Sequence, residues 1–111
     1  DGKGYLVKYP LLEEYVDCLH FILSIGLEFE LSEEDILLLD DAIENDGIFM
    51  KDITEQFSYL FYCASRIQSR YQRLFNAFVG LGEWLGFTWE QVEEAYFQKN
   101  TINHERQTNG Y

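Results

Sequence analysis

The stretch Pro10-Leu11-Leu12-Glu13-Glu14-Tyr15-Val16-Asp17-Cys18-Leu19-His20-Phe21-Ile22-Leu23-Ser24-Ile25-Gly26 decides the fold class. Proline suits the first turn of a helix, where a missing N–H costs nothing. No breaker follows until Gly26, a plausible C-terminal stop. Leu12, Val16, Leu19 and Leu23 form an apolar stripe at helical spacing, and Phe21, Ile22 and Ile25 lie off it. Later turns that are apolar nearly all round mark a central, buried helix.

The rest of the chain repeats this pattern. Ser32 with Asp35 is a variant capping box that opens a helix, whose buried face is Ile36, Leu39 and Ile43. Asn45-Asp46-Gly47 stops it. Asp52 with Glu55 starts the next, and from Ile53 to Val79 neither Gly nor Pro occurs. The stripe Phe57, Leu60, Phe61, Ala64, Tyr71, Leu74, Phe75, Phe78 favours one long helix over two with a break near Ser65–Ser69. Gly80 and Gly82 loosen its end and Gly86 closes it. Thr88 with Gln91 caps a last helix from Trp89 to about Arg106. Residues 1–9 read as a loose arm. No strand-period segment or repeat is present. The expectation is a single all-α domain, a bundle of about four helices with one of them long.

Composition narrows the function. The 111 residues are 47% hydrophobic and 17% aromatic, enough for a core, with a net charge of −12. Such a charge repels nucleic acid and anionic membrane. It fits an acidic cytoplasmic protein, or one in which some of the acid gathers to hold cations. No apolar run approaches membrane-spanning length and no signal peptide is present. Cys18 and Cys63 lie in apolar stretches and read as buried free thiols, as in a reducing cytoplasm. Walker, dinucleotide, serine-elbow and paired-cysteine motifs are all missing.

Two constellations carry candidate chemistry. Glu14 and Asp17, with Glu13 beside them, share a helix face, where like charges repel. Carboxylates entering an interior need protons or a cation, and oxygen ligands suit magnesium or manganese. The plainer reading is a solvated acidic first turn favoured by the helix dipole. The second constellation runs Tyr96, Lys99, Asn100, Asn103, Arg106, Gln107, Gly110, Tyr111. Lys99, Asn103 and Arg106 line one face that would suit a polyphosphate, or else form an exposed polar tail. Arg66, Arg70 and Arg73 form a further basic line, which more often pairs with acidic surface than binds a ligand. His20 reads as a satisfied core histidine.

Leu12–Leu27 resembles the second acidic motif of dimeric dUTPases, especially those of phages of Gram-positive bacteria. Leu85-Gly86-Phe87-Thr88, Ala95-Tyr96, Lys99-Asn100, Asn103, Arg106-Gln107 and Gly110-Tyr111 resemble that family's C-terminal signature. The resemblance covers residues 11–111. It implies an all-α homodimer, related to helical nucleoside triphosphate pyrophosphatases, that hydrolyses dUTP to dUMP and pyrophosphate with magnesium and so limits uracil incorporation into DNA. It implies that Glu14 and Asp17 are metal ligands, with Lys99, Asn103 and Arg106 on phosphate or sugar and Asn100 and Tyr111 as further contacts. It places the protein in a bacterial or phage-infected cytoplasm. The family's earlier Glu-x-x-Glu helix does not precede Pro10, so the chain is expected to be a piece of something longer and inactive alone. Two alternatives stand: an acidic helical dimer that meets a regulatory protein, as phage dUTPases do as a class, and a pyrophosphohydrolase of another nucleotide.

Overall fold

The computed structural model describes the backbone of residues 10–108 and the side chains of residues 10–102. The loose arm expected for residues 1–9 and the end of the C-terminal signature from Asn109 lie outside the described residues. Among the described residues five helices follow one another: α1 Pro10–Glu28, α2 Glu33–Glu44, α3 Ile53–Ala64, α4 Ile67–Trp84 and α5 Trp89–Thr108. No strand occurs among the described residues, and no helix there is long and apolar enough to cross a membrane.

The three capping signals and the stop at Gly86 act as read. Ser32 Oγ accepts from the Asp35 N–H at 3.1 Å while Asp35 accepts from the Ser32 N–H at 3.0 Å, a reciprocal cap. Asp52 accepts from the Glu55 N–H, and Thr88 and Gln91 cap α5 in the same reciprocal way. After α4, Gly86 takes a φ of +85° that favours glycine. The Phe87 N–H then reaches Gly82 O and the Gly86 N–H reaches Glu83 O, which satisfies the last carbonyls in a Schellman motif.

Other expectations are corrected. Segment 53–85 is two helices, because Arg66 leaves helical geometry at φ −131° and ψ 42°. Around it, serine hydroxyls bind local carbonyls, Ser65 that of Tyr62 and Ser69 that of Arg66, which competes with the helical ladder. A second kink falls at Arg70. The described residues therefore hold two helices where one long helix was expected. Gly26 does not stop α1. It lies buried inside it, where the Tyr71 hydroxyl packs so closely that a Cβ would collide, and the helix runs on to Glu28. Gly80 and Gly82 do not loosen α4 either: they admit the Ile48 carbonyl and the Tyr15 hydroxyl against the helix backbone.

The buried helix is α4, not α1. Every residue from Ala77 to Gly82 is buried. Leu12, Val16 and Leu19 of α1, Leu39 and Ala42 of α2, Leu60 and Cys63 of α3, and Val92 and Ala95 of α5 complete the core. Phe21 and Leu27 of α1 face outward, as do Ile36 of α2 and Phe57, Phe61 and Ala64 of the expected long stripe. The face of α3 that is buried carries Gln56, Leu60 and Cys63. Gln56 is wholly buried and bonds three ways: it accepts from the Met50 N–H at 2.8 Å and donates to Ile48 O at 2.9 Å and Ala77 O at 2.7 Å. α2 and α3 pack on α4, while α5 lies along α1.

Candidate functional site

The α1–α5 seam holds the candidate site. Val92 and Ala95 are fully buried in it, and one turn on, the Tyr96 ring stacks on His20 with centroids 4.1 Å apart. This packing delivers Lys99 to the first turns of α1. The Lys99 ammonium donates to Glu13 Oε1 at 3.1 Å and lies 3.5 Å from Asp17 Oδ1. The lysine side chain is 17% exposed, Glu13 34% and Asp17 39%. Burial acts to lower the Lys99 pKa, but the Glu13 bond and the charges of Asp17 and Glu13 outweigh it and raise the group above its ordinary value.

Other candidates are placed as follows. Glu14, expected to enter the interior, is exposed on α1, as is Asn100 on α5. Asn103 and Arg106 lie in the helical part of α5, but their side chains are outside the described residues, as is Tyr111 altogether. Cys18 is exposed, not buried; partial desolvation and the neighbouring charges of Asp17 and Glu14 push its thiol pKa up. Cys63 is a buried free thiol as expected. His20 is half-buried and packed, yet its Nε2 has no hydrogen-bond partner among the described residues, so it is not the satisfied histidine expected. The Arg66 and Arg70 guanidinium groups lie over the Tyr62 ring at 4.7 and 5.2 Å, an aromatic partner where an acidic one was expected.

A cleft of about 620 Å³ opens on another side of α1, between the ends of α2 and α4 and the start of α5. Its walls include Glu44, Asp46, Glu83 and Glu90 and, among the described residues, no Lys or Arg. A polyphosphate would be repelled by such walls, whereas the α1–α5 seam brings the Lys99 ammonium to the first turns of α1. Sequence reasoning did not single out Glu13 as Lys99's partner. The signal was weak: Glu13 and Asp17 are four apart and so share a face, but which residue faces them depends on the fold.

A family model described as dUTPase matches residues 7–111. The chain belongs to the all-α dUTPase family. No curated protein and no solved structure gives a match. Membership in this dUTPase family points to hydrolysis of dUTP, and dUTPases generally depend on a divalent metal. Among the described residues, no group of three or more His, Cys, Asp and Glu is arranged to hold a metal ion. The donor chemistry still fits a hard cation. Magnesium takes one or two carboxylates and completes its shell with waters and substrate phosphate oxygens, and α1 offers carboxylates at the edge where the Lys99 ammonium arrives.

Proposed function

We propose that the chain carries the metal and phosphate side of a dUTP diphosphatase site, which releases dUMP and pyrophosphate. The observation that carries this reading is the meeting of Lys99 with Glu13 and Asp17, from opposite ends of the chain. Glu14 and Asp17 would hold magnesium, or manganese in its place. That ion supplies charge neutralisation on the phosphate chain and lowers the pKa of a bound water. Lys99 offers a point charge to a phosphate oxygen. Arg106, Asn103, Asn100 and Tyr111 are the proposed further contacts to phosphate and sugar, three of them on the same helix as Lys99. A bidentate guanidinium beside a lysine suits a triphosphate better than either alone. The working form is proposed to be a homodimer in a bacterial or phage-infected cytoplasm, supported by large apolar side chains left outside the core, such as Leu27 and Phe61. The acidic surface and those same apolar residues also support the second reading, a contact with a regulatory protein.

The test is a calorimetric titration of magnesium into the wild type and Asp17→Asn. Loss of even an outer partner of a metal ligand costs on the order of tenfold in affinity, so removing a ligand should cost at least that. Matching isotherms would take the metal away from Asp17. Pyrophosphate release from dUTP against dCTP and dTTP, with and without magnesium, then reads base choice.

A further inference from the structure

We propose that Glu13 is a positioning residue: it holds the Lys99 ammonium against Asp17, where the lysine stands in for the divalent cation until a metal ion arrives. This rests on the metal reading of Asp17 above.

A lysine that serves only to meet phosphate has no reason to be tied down without ligand. Lys99 is tied down. Its stem leaves α5 one turn beyond the buried Ala95, its side chain is mostly covered, and its ammonium lies between two carboxylates one turn apart on α1. Without such a cation, Glu13 and Asp17 would face each other as like charges across that turn. A magnesium ion sits about 2.0–2.1 Å from its carboxylate oxygens. An ammonium 3.5 Å from Asp17 Oδ1 would then be within strong repulsion of the metal. Metal binding at Asp17 therefore drives the ammonium off Asp17. Glu13, which makes the shorter contact at 3.1 Å, keeps hold of it. The lysine thus stays at the rim of the metal site and is presented to the phosphate chain instead of being lost to solvent.

Magnesium affinity by calorimetry in the wild type, Lys99→Met and Asp17→Asn tests the stand-in. Removing the competing cation should tighten magnesium binding roughly two- to fivefold, the range set by partly exposed ion pairs. In the intact protein, the Lys99 ammonium resonance in nitrogen-15 spectra should move along the same isotherm as magnesium is added. Equal affinities in the wild type and Lys99→Met, with binding still abolished by Asp17→Asn, would overturn the stand-in and leave the metal reading intact; so would a Lys99 resonance that ignores magnesium. No Asp17-dependent binding in any variant would overturn both. Magnesium pyrophosphate is the probe for the positioning role. Glu13→Gln should weaken it as Lys99→Met does, and the double variant should be no weaker than Lys99→Met alone. A double variant weaker than that would mean Glu13 acts independently of Lys99, which overturns the positioning role.

Discussion

Tyr15 sits beside the candidate metal ligands in sequence but faces the other way, and it sets how α1 is turned. Its hydroxyl donates to Phe78 O at 2.5 Å, its ring stacks on Phe78 with centroids 4.2 Å apart, and Phe87 meets it edge-on. With Tyr15 fixed inward, Glu13 and Asp17 are left for the α5 side. Burial pushes the Tyr15 phenol well above its ordinary value, against a smaller opposing effect from the Gly82 backbone. The Tyr71 phenol, which donates to Ile22 O, is raised by the same cause. The folded state therefore keeps protons that the unfolded state gives up above about pH 10. Stability from these tyrosines is complete below that pH and is lost as pH rises toward the folded values. The melting temperature should fall steeply in alkali, and Tyr15→Phe should flatten the fall while costing about 1 kcal/mol at neutral pH for the lost hydrogen bond. Melting curves from pH 8 to 11.5 check this. An unchanged alkaline slope in Tyr15→Phe would clear its phenol of the effect.

At the scale of elements, Gln56 joins α3, α4 and the connecting segment 48–50 through three hydrogen bonds made in a fully buried place. Gln56→Leu keeps the volume but leaves the Met50 N–H and the Ile48 and Ala77 carbonyls without that partner. Such groups cost about 1–3 kcal/mol each when left dry, so a total near 3 kcal/mol is expected after some relaxation. Urea unfolding measures it, and a loss under about 1 kcal/mol would mean that water replaces the side chain. Gln56 also marks where sequence reading ran out. Helix starts were legible because a cap is local: Ser32 with Asp35, Asp52 with Glu55 and Thr88 with Gln91 each act within three residues. The break at Arg66 was legible only as an alternative: its place near Ser65–Ser69 could be named, but with neither Gly nor Pro there the apolar stripe favoured one helix. Nor was the buried face of α3, where the aromatic stripe pointed to Phe57 and Phe61 and a polar residue took the inside. The two halves of the candidate site were each readable as charge patterns. Their meeting depends on how Val92 and Ala95 lay α5 on α1, which no local spacing encodes.

For the whole molecule, the misread stripe becomes an argument about assembly. Ile53, Phe57 and Phe61 recur every four residues along α3, so they share a face, and Phe61 is 70% exposed. The Phe57 and Phe61 rings stack on each other 6.3 Å apart, which orders the patch. Leu37 and Leu38 of α2 and Phe21 and Leu27 of α1 are also exposed. A chain with a net charge of −12 repels its copies at long range. The homodimer proposed above would then draw on apolar burial, and the continuous stripe on α3 is the best placed surface for it. Burying one phenylalanine contributes roughly 1.5–3 kcal/mol. Phe61→Glu removes that and places a like charge opposite its copy, so dimer dissociation should strengthen by at least about tenfold. Helicity and melting of the monomer should hardly change, because Phe61 is mostly exposed and lies outside the buried core. Sedimentation equilibrium over a wide concentration range makes the measurement. A wild type that stays monomeric throughout would remove the homodimer. A Phe61→Glu variant as dimeric as the wild type would move the interface off α3, toward Phe21 and Leu27 on α1.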